Sequence, residues 1–560
     1  MEDTEKLLDK IGSKGKYQYI LCLLFFIEGL GHDFTTIFLT LQLGYPTGYY
    51  VDIKGNKVIG VVDNEFCVLA NGKNNITINS VLSIHNWSYI YELHCEKLKT
   101  MILSNSLFLG FIIGTLLLTV LNKIRKELLF KIFTLTYCLS INLQYINNYY
   151  VLVTMNLLLA ITHICSFILR ISIISELTDK NNRSYFIGFQ ILTGIFIGII
   201  SGYLYHSGIM FEYIYSAVNG LIFIDFLIII FYLKTNPRWL LLNNYLIEAI
   251  DNATYIANIN GLIYNDYKVE EVEHYREQDI LKKKEINVQS KIGLEQWIRN
   301  NYDYLIDTQT NNIKSNKKSD YIAIRDNINY IKDEDNNSNY NERLNIEVDS
   351  YKYNRSIFEN SVEYALNLTE IKNLVLMTML NISFHIVLYL NVFEIIFYEN
   401  KNNIDNNDIK KNYQKSFNLW FTISMILSFF LIILNGYLMN TMLGRKGTII
   451  LSLCLCLITR LFGLAIGKIP LELYFIERAI SNSTQVPMST LLMENFNNIK
   501  RLKFYSIVSL CALLLTCSVP VFLNYLDIKI VNWLYSVFCF LSIAFTIFTR
   551  ETKNRPLRDK

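Results

Sequence analysis

Twelve apolar stretches, each about as long as a bilayer is thick, leave this chain few ways to fold. An α-helix needs roughly 20 apolar residues to cross the hydrocarbon layer. Windows of that kind lie near 18–42, 101–121, 128–146, 150–176, 184–205 and 211–234, then near 373–397, 416–440, 447–466, 470–493, 503–524 and 530–549. Lipid offers backbone N–H and C=O groups no partner, so such segments must satisfy them internally as helices. The expected fold class is an all-α membrane protein with twelve transmembrane helices in two six-helix bundles. A hydrophobic share of 52% with only 6 prolines agrees. The net charge of +3 gives no reason to expect a nucleic-acid partner. Met1 to Tyr17 carries charges of both signs and no apolar core, so no cleavable signal peptide is apparent.

Basic residues orient the chain. Lys123, Arg125, Lys126, Lys180, Arg183, Arg445, Lys446, Lys500, Arg501 and Lys503 all fall in connections on one side, with the tail adding Arg550 and Lys553. The positive-inside rule makes that side, and both termini, cytoplasmic. The expected organisation is a cytoplasmic N-terminus 1–17, a first bundle 18–234, a cytoplasmic loop 235–370, a second bundle 371–549 and a tail 550–560. The long extracellular loop 43–100 holds two glycosylation sequons, at Asn75 and Asn86, and the only two cysteines expected outside, Cys67 and Cys95. A disulfide between those two is expected. The stretch 265–355, rich in Asn, Lys and Asp, buries too little apolar surface to order itself and is expected to be disordered.

The two halves repeat a charge pattern. Glu176 at the end of the fourth window is followed seven residues later by Arg183, and Glu494 at the end of the tenth is followed seven later by Arg501. Parallel halves related by an axis along the membrane normal are a known transporter architecture. These four residues are read as a cytoplasmic gate that bridges helices and must separate on opening; ordinary interfacial charge is the plainer alternative. Gly444-Arg445-Lys446 after the eighth window echoes Asn122-Lys123-Ile124-Arg125-Lys126 after the second, adding Gly444 and Arg445 to the gate.

Together these loops resemble those of the organic cation, anion and zwitterion (carnitine) transporter family of the major facilitator superfamily. Further resemblance lies in Leu7-Leu8-Asp9-Lys10-Ile11-Gly12, in His85 to Gly110, in Pro237-Arg238-Trp239-Leu240-Leu241 with Glu248 and Gly261, in Val387-Leu388-Tyr389 and in Glu551-Thr552-Lys553. The Pro237 run reads as the start of an interfacial helix continuing through Glu248 to Gly261. The chain departs from the family pattern where Asn122 and Thr441 replace aspartates and Arg125 replaces the first-loop glycine. The resemblance implies the major facilitator fold and alternating access around a central cavity.

Ionisable groups at bilayer depth usually face a cavity or a partner. Glu28 and His32 are i,i+4 neighbours beside Asp33, and Asn381, His385 and Tyr389 form a stripe in the seventh window. His163 and Arg170 share a face of the fourth; Arg478 and Gln485 lie in the tenth. Glu28, His32, His163, Arg170, Asn381, His385, Tyr389, Arg478 and Gln485 are substrate-cavity candidates; the alternatives are a local structural pair for Glu28 and His32, a packing His385 and a snorkelling Arg170, while Arg460 is read as packing or snorkelling. Leu513 stands where cation transporters of the family often place an aspartate. The expected function is transport of small organic ions, organic-cation or carnitine-like. An organic-anion transporter and a non-transporting, transporter-like receptor are the alternatives. Expected partners are the substrate and the lipid bilayer, with proton or sodium coupling open, in a multi-pass protein of the plasma membrane. No cofactor, metal site or catalytic residues are expected.

Overall fold

A computed structural model describes residues 11–44, 48–53, 56–61, 76–78, 87, 91, 97–179, 182–206, 211–243, 245–262, 368–401, 407–441, 443–466, 470–496, 498–517, 519 and 528–552. The chain forms two compact units, Met1–Ile263 with Lys372–Lys560, and Tyr264–Ile371. The first carries both halves of the fold. Cys67, Cys95, Asn75, Asn86 and the stretch 265–355 lie outside the described residues.

Among the described residues there are twelve long helices. The first half contains α1 (Lys16–Gly44), α2 (Lys97–Val120), α3 (Lys126–Ile141), α4 (Tyr149–Leu177), α5 (Arg183–His206) and α6 (Phe211–Tyr232). Two shorter helices follow, α7 (Pro237–Leu242) and α8 (Leu246–Ile259). The second half contains α9 (Leu368–Lys401), α10 (Asn407–Asn440), α11 (Gly444–Ile466), α12 (Leu471–Asn495), α13 (Asn498–Thr516) and α14 (Ile528–Phe548). Between α1 and α2 the chain makes a small antiparallel sheet from β1 (Gly48–Ile53), β2 (Asn56–Val61) and β3 (Ile76–Ile78) in the order β2-β1-β3. The membrane part is therefore all-α, and the sheet belongs to the connecting loop.

Eight of these helices are long and apolar enough to cross a membrane: α2, α4, α5, α6, α9, α10, α11 and α14. Among the rest, α3 opens with Lys126 and Glu127, α12 contains Glu477 and Arg478, and α13 starts with Lys500, Arg501 and Lys503. α3 is only 16 residues long, and α12 and α13 each carry several charged side chains, of which Glu477 and Arg501 are buried in the bundle. Large apolar side chains such as Phe231, Phe430, Phe540 and Phe548 remain exposed on the outer faces, as lipid contact requires. This is a multi-pass integral membrane protein.

Small residues allow close helix approach. A Cβ on Gly110 would stand 2.5 Å from Ala160 Cβ and 2.6 Å from the Leu157 carbonyl oxygen, so α2 and α4 meet there backbone to side chain. The run after α6 differs from the single helix expected over 237–261. Pro237 starts α7, but the helix stops at Leu242 and α8 begins four residues later. Arg125 grips Glu248 with two bonds of 2.6 and 2.9 Å and lies over the rings of Trp239 and Tyr245. Asn260 accepts from the Tyr17 backbone N–H and donates to the Ile11 and Gly12 carbonyls, which ties α8 to the start of the chain.

Candidate functional site

The charged end of the bundle is built from helix ends. Glu176 closes α4 and Arg183 opens α5, while Glu494 lies near the end of α12 and Arg501 in the first turn of α13. The ion pairs are reciprocal between the halves rather than local. Arg183 Nη1 meets Glu494 Oε1 at 3.1 Å, and Arg501 Nη1 reaches Glu176 Oε1 at 3.5 Å. Each acid also takes the basic residue from the loop two helices earlier in its own half. Arg445 donates to both Glu494 oxygens at 3.1 Å, and Lys126 Nζ pairs with Glu176.

A third repeated partner comes from just beyond the sixth helix of each half. Asn236 Nδ2 donates to Glu176 Oε2 at 3.1 Å, and Thr552 Oγ1 donates to Glu494 Oε2 at 2.5 Å. Each lies four residues past the last residue of its helix, Tyr232 or Phe548. All eight of these side chains are buried. A buried charge is tolerable only when paired and hydrogen-bonded, and each arginine of the reciprocal pairs adds a carbonyl: Arg183 to Ser175 at 2.9 Å, Arg501 to Phe496 at 3.3 Å. Ser184 and Asn440 add a neutral contact between the halves at 3.3 Å.

The loops before α3 and α11 reach this arrangement differently. Gly444 has φ +68°, a region that disfavours side chains, and a Cβ there would stand 2.8 Å from Glu551 Oε2. The Glu551 carboxylate accepts from the backbone N–H groups of Arg445 and Lys446, capping the positive end of α11. Arg125, at the matching position, has φ −55° and needs no glycine.

Deeper in the first half, Glu28 and His32 are enclosed near the middle of α1. His32 Nε2 lies 2.8 Å from Glu28 Oε1, and Arg170 Nε lies 3.1 Å from Glu28 Oε2. Arg170 is 1% exposed and also donates to the Phe25 carbonyl at 2.9 Å, so it does not snorkel. Gly29 makes room for it, since a Cβ there would fall 1.8 Å from Arg170 Nη1. Beside this closed cluster, Asp33 and His163 are partly open, 3.7 Å apart, with Thr193 bonded to Asp33.

In the second half the α9 stripe divides. Asn381 is buried and donates to the Val508 carbonyl on α13 at 3.4 Å. His385 and Tyr389, one turn apart with stacked rings, are partly exposed. On α12 every residue between Glu477 and Asn495 is buried except Arg478, Asn482 and Gln485. Their spacing puts three polar groups on one face of a helix that is otherwise packed in. Arg478 lies over the Phe421 ring at 4.9 Å and makes no ion pair with a described residue. Aromatic rings join the halves: His163 to Phe111, Phe111 to Phe108, Phe108 to Tyr389.

Two acids escaped the sequence reading. Glu477 pairs with Arg460 at 2.6 Å and accepts from Asn391 and Thr459, while Arg460 also donates to Asn532 at 2.7 Å. Arg460 is thus fully enclosed and paired, and lies over the Tyr535 ring at 3.9 Å, so of its two readings it packs and does not snorkel. Asp225 lies buried in α6. The available signal was simple: every charge in an apolar window requires an opposite charge or a proton.

No protein-family model matches the chain, and no curated protein matches it. Solved structures do. The proton:xylose symporter XylE bound to 6-bromo-6-deoxy-D-glucose aligns at a TM-score of 0.57 and 14% identity, covering 97% of this chain and 98% of that one. The inward open conformation of the xylose transporter XylE from E. coli aligns at 0.51 and 13% identity, over 96% and 98% of the two chains. A bacterial homologue of the iron transporter ferroportin in an outward-facing state aligns at 0.50 and 10%, over 95% and 98%. At such identities the likeness speaks for the fold: this chain has the twelve-helix fold of the major facilitator superfamily.

Proposed function

We propose that this protein carries a small organic ion across a membrane by alternating access, with an organic cation of the carnitine type as the favoured substrate class. The observation that supports this most is the reciprocal pairing of Arg183 with Glu494 and Arg501 with Glu176. These pairs join the halves at one end only and lie where rocking of one half against the other has to break them. On the positive-inside reading that end is cytoplasmic, so this conformation is closed to the cytoplasm. Glu176, Arg183, Glu494, Arg501, Arg445 and Gly444 form the gate in this scheme.

The substrate then meets the partly open polar groups of the interior. Asp33 supplies a carboxylate for a cationic group, which α13 does not, because Leu513 occupies the corresponding depth. His163, His385, Tyr389 and Gln485 complete the wall, whereas Glu28, His32, Arg170 and Asn381 hold it in place. An organic anion is the second reading, and Arg478, a cation without a carboxylate partner among the described residues, favours it. A plasma-membrane location fits either. Uptake by reconstituted vesicles of tetraethylammonium, carnitine and para-aminohippurate, in competition, tests the proposal. Saturable carnitine uptake inhibited by the cation is expected. Inhibition by the anion alone would assign the second reading, and no saturable uptake of any probe would support a non-transporting receptor.

A further inference from the structure

Among the described residues, Asp225 is a buried charge without an explanation so far. It sits in α6 among Leu221, Ile222, Phe226 and Ile229, is 2% exposed, and neither carboxylate oxygen has a hydrogen-bond partner. The helix packs on α1 and α3; one turn earlier, Ile222 fills the space over Gly31, where a Cβ would lie 1.8 Å from Ile222 Cδ1. The charged and titratable groups that act on Asp225 are Glu28 from α1, Cys138 from α3 and Arg170 from α4; Glu28 in turn sits against His32.

The cations of this set are already engaged. Arg170 is taken by Glu28 and the Phe25 carbonyl, and His32 by Glu28. His163 lies against Asp33. An ionised Asp225 would be buried with no donor and no dedicated counter-charge, with the Glu28 carboxylate as a neighbour. That is the costliest arrangement a carboxylate can have, and binding one proton removes the cost. Among the described residues no three His, Cys, Asp or Glu side chains gather as ligands for a metal ion. One bound proton supplies the missing positive charge without needing a ligand shell.

We propose that Asp225 is a proton-binding site, occupied in this conformation and emptied when the helices rearrange. Parting of Glu28 and Arg170 would free the guanidinium to meet Asp225. The carboxylic O–H bond then breaks, its proton passes to water entering from the open side, and the carboxylate left behind pairs with Arg170. This deepens the transport reading, on which its coupling role rests, by naming the proton as the coupling ion. Occupancy itself does not depend on transport.

Infrared spectroscopy of the full chain in lipid tests occupancy directly. At neutral pH a protonated carboxylic-acid carbonyl band is expected, moved by isotope-labelled aspartate and lost in Asp225→Asn. Labelling of the unaltered chain reads the same group if that variant fails to fold, with Asp33→Asn excluding the neighbouring aspartate. Absence of an aspartate-derived protonated band, or its loss in Asp33→Asn while Asp225→Asn keeps it, overturns the proposal. In vesicles, an acid-outside gradient should accelerate carnitine uptake several-fold, and Asp225→Asn should lose that acceleration. Acceleration by a sodium gradient alone would overturn the coupling role. A band lost in Asp225→Asn with no uptake of any probe would leave the proton site standing and remove the transport reading. Saturable uptake without the band would do the reverse.

Discussion

The charged end of the bundle and its interior solve the problem of buried charge in opposite ways. At the charged end each half contributes the same four parts: a loop base (Lys126 or Arg445), an acid (Glu176 or Glu494), an arginine (Arg183 or Arg501) and a neutral donor beyond the sixth helix (Asn236 or Thr552). In the interior the halves share nothing of the kind. The first ties α1 to α4 through Glu28 and Arg170, and the second ties α11 to α12 through Arg460 and Glu477. Contacts that close two like halves on one another can be reciprocal, because each half offers its partner the same surface. An interior that holds one ligand has no such symmetry to satisfy.

The largest effects should come from the interior. Glu477→Leu leaves Arg460 buried without its counter-charge and should cost about 3–5 kcal/mol of stability, read as thermal unfolding in detergent. Arg460→Met in the same chain should return most of that loss. If the single variant is as stable as the unaltered protein, the interior pair is not the bolt described here.

The proposed gate offers a sharper symmetry test. Glu494→Gln deprives Arg183 and Arg445 together, and Glu176→Gln deprives Arg501 and Lys126, so the two variants should behave alike. Cysteines at Ser184 and Asn440 should crosslink readily in the unaltered background and several-fold more slowly in either variant. Exchanging the charges of Arg183 and Glu494 alone should restore only part of the rate, because Arg445 then faces an arginine. Unequal effects of the two glutamine variants would break the repeat as a mechanical unit.

Smaller effects should follow from the neutral donors. Thr552→Val and Asn236→Leu each remove one hydrogen bond to a buried carboxylate and should weaken closure by about 1–3 kcal/mol, seen in the same crosslinking assay. Smallest in stability, Gln485→Ala should leave unfolding unchanged while raising KM for carnitine. A stability loss as large as that of Glu477→Leu would put Gln485 in the packing and not in the wall.

Much of this was readable from the chain. Apolar length alone gives the helices, and the acid-to-arginine spacing exposes the repeat in the halves. What spacing could not supply was the partner. Glu176 and Arg183 are seven residues apart, but a break between α4 and α5 separates them, and each turns to the other half. Arg460 and Glu477 lie 17 positions apart on antiparallel neighbours, a relation that no helical period records. The Pro237 run opens α7, yet the most consequential residue beside it is the preceding Asn236, whose side chain reaches the Glu176 carboxylate.

By itself, then, the sequence determined that this protein lies in a membrane as two six-helix halves, because lipid accepts long apolar segments only as helices. Tertiary structure alone decided which buried charges of the described residues neutralise one another and that Asp225 has no such partner among them. Burial makes an unpaired charge costly whatever its place in the chain, and the partner that relieves it is the nearest one in space. Asp225 is where that accounting fails to close within the protein.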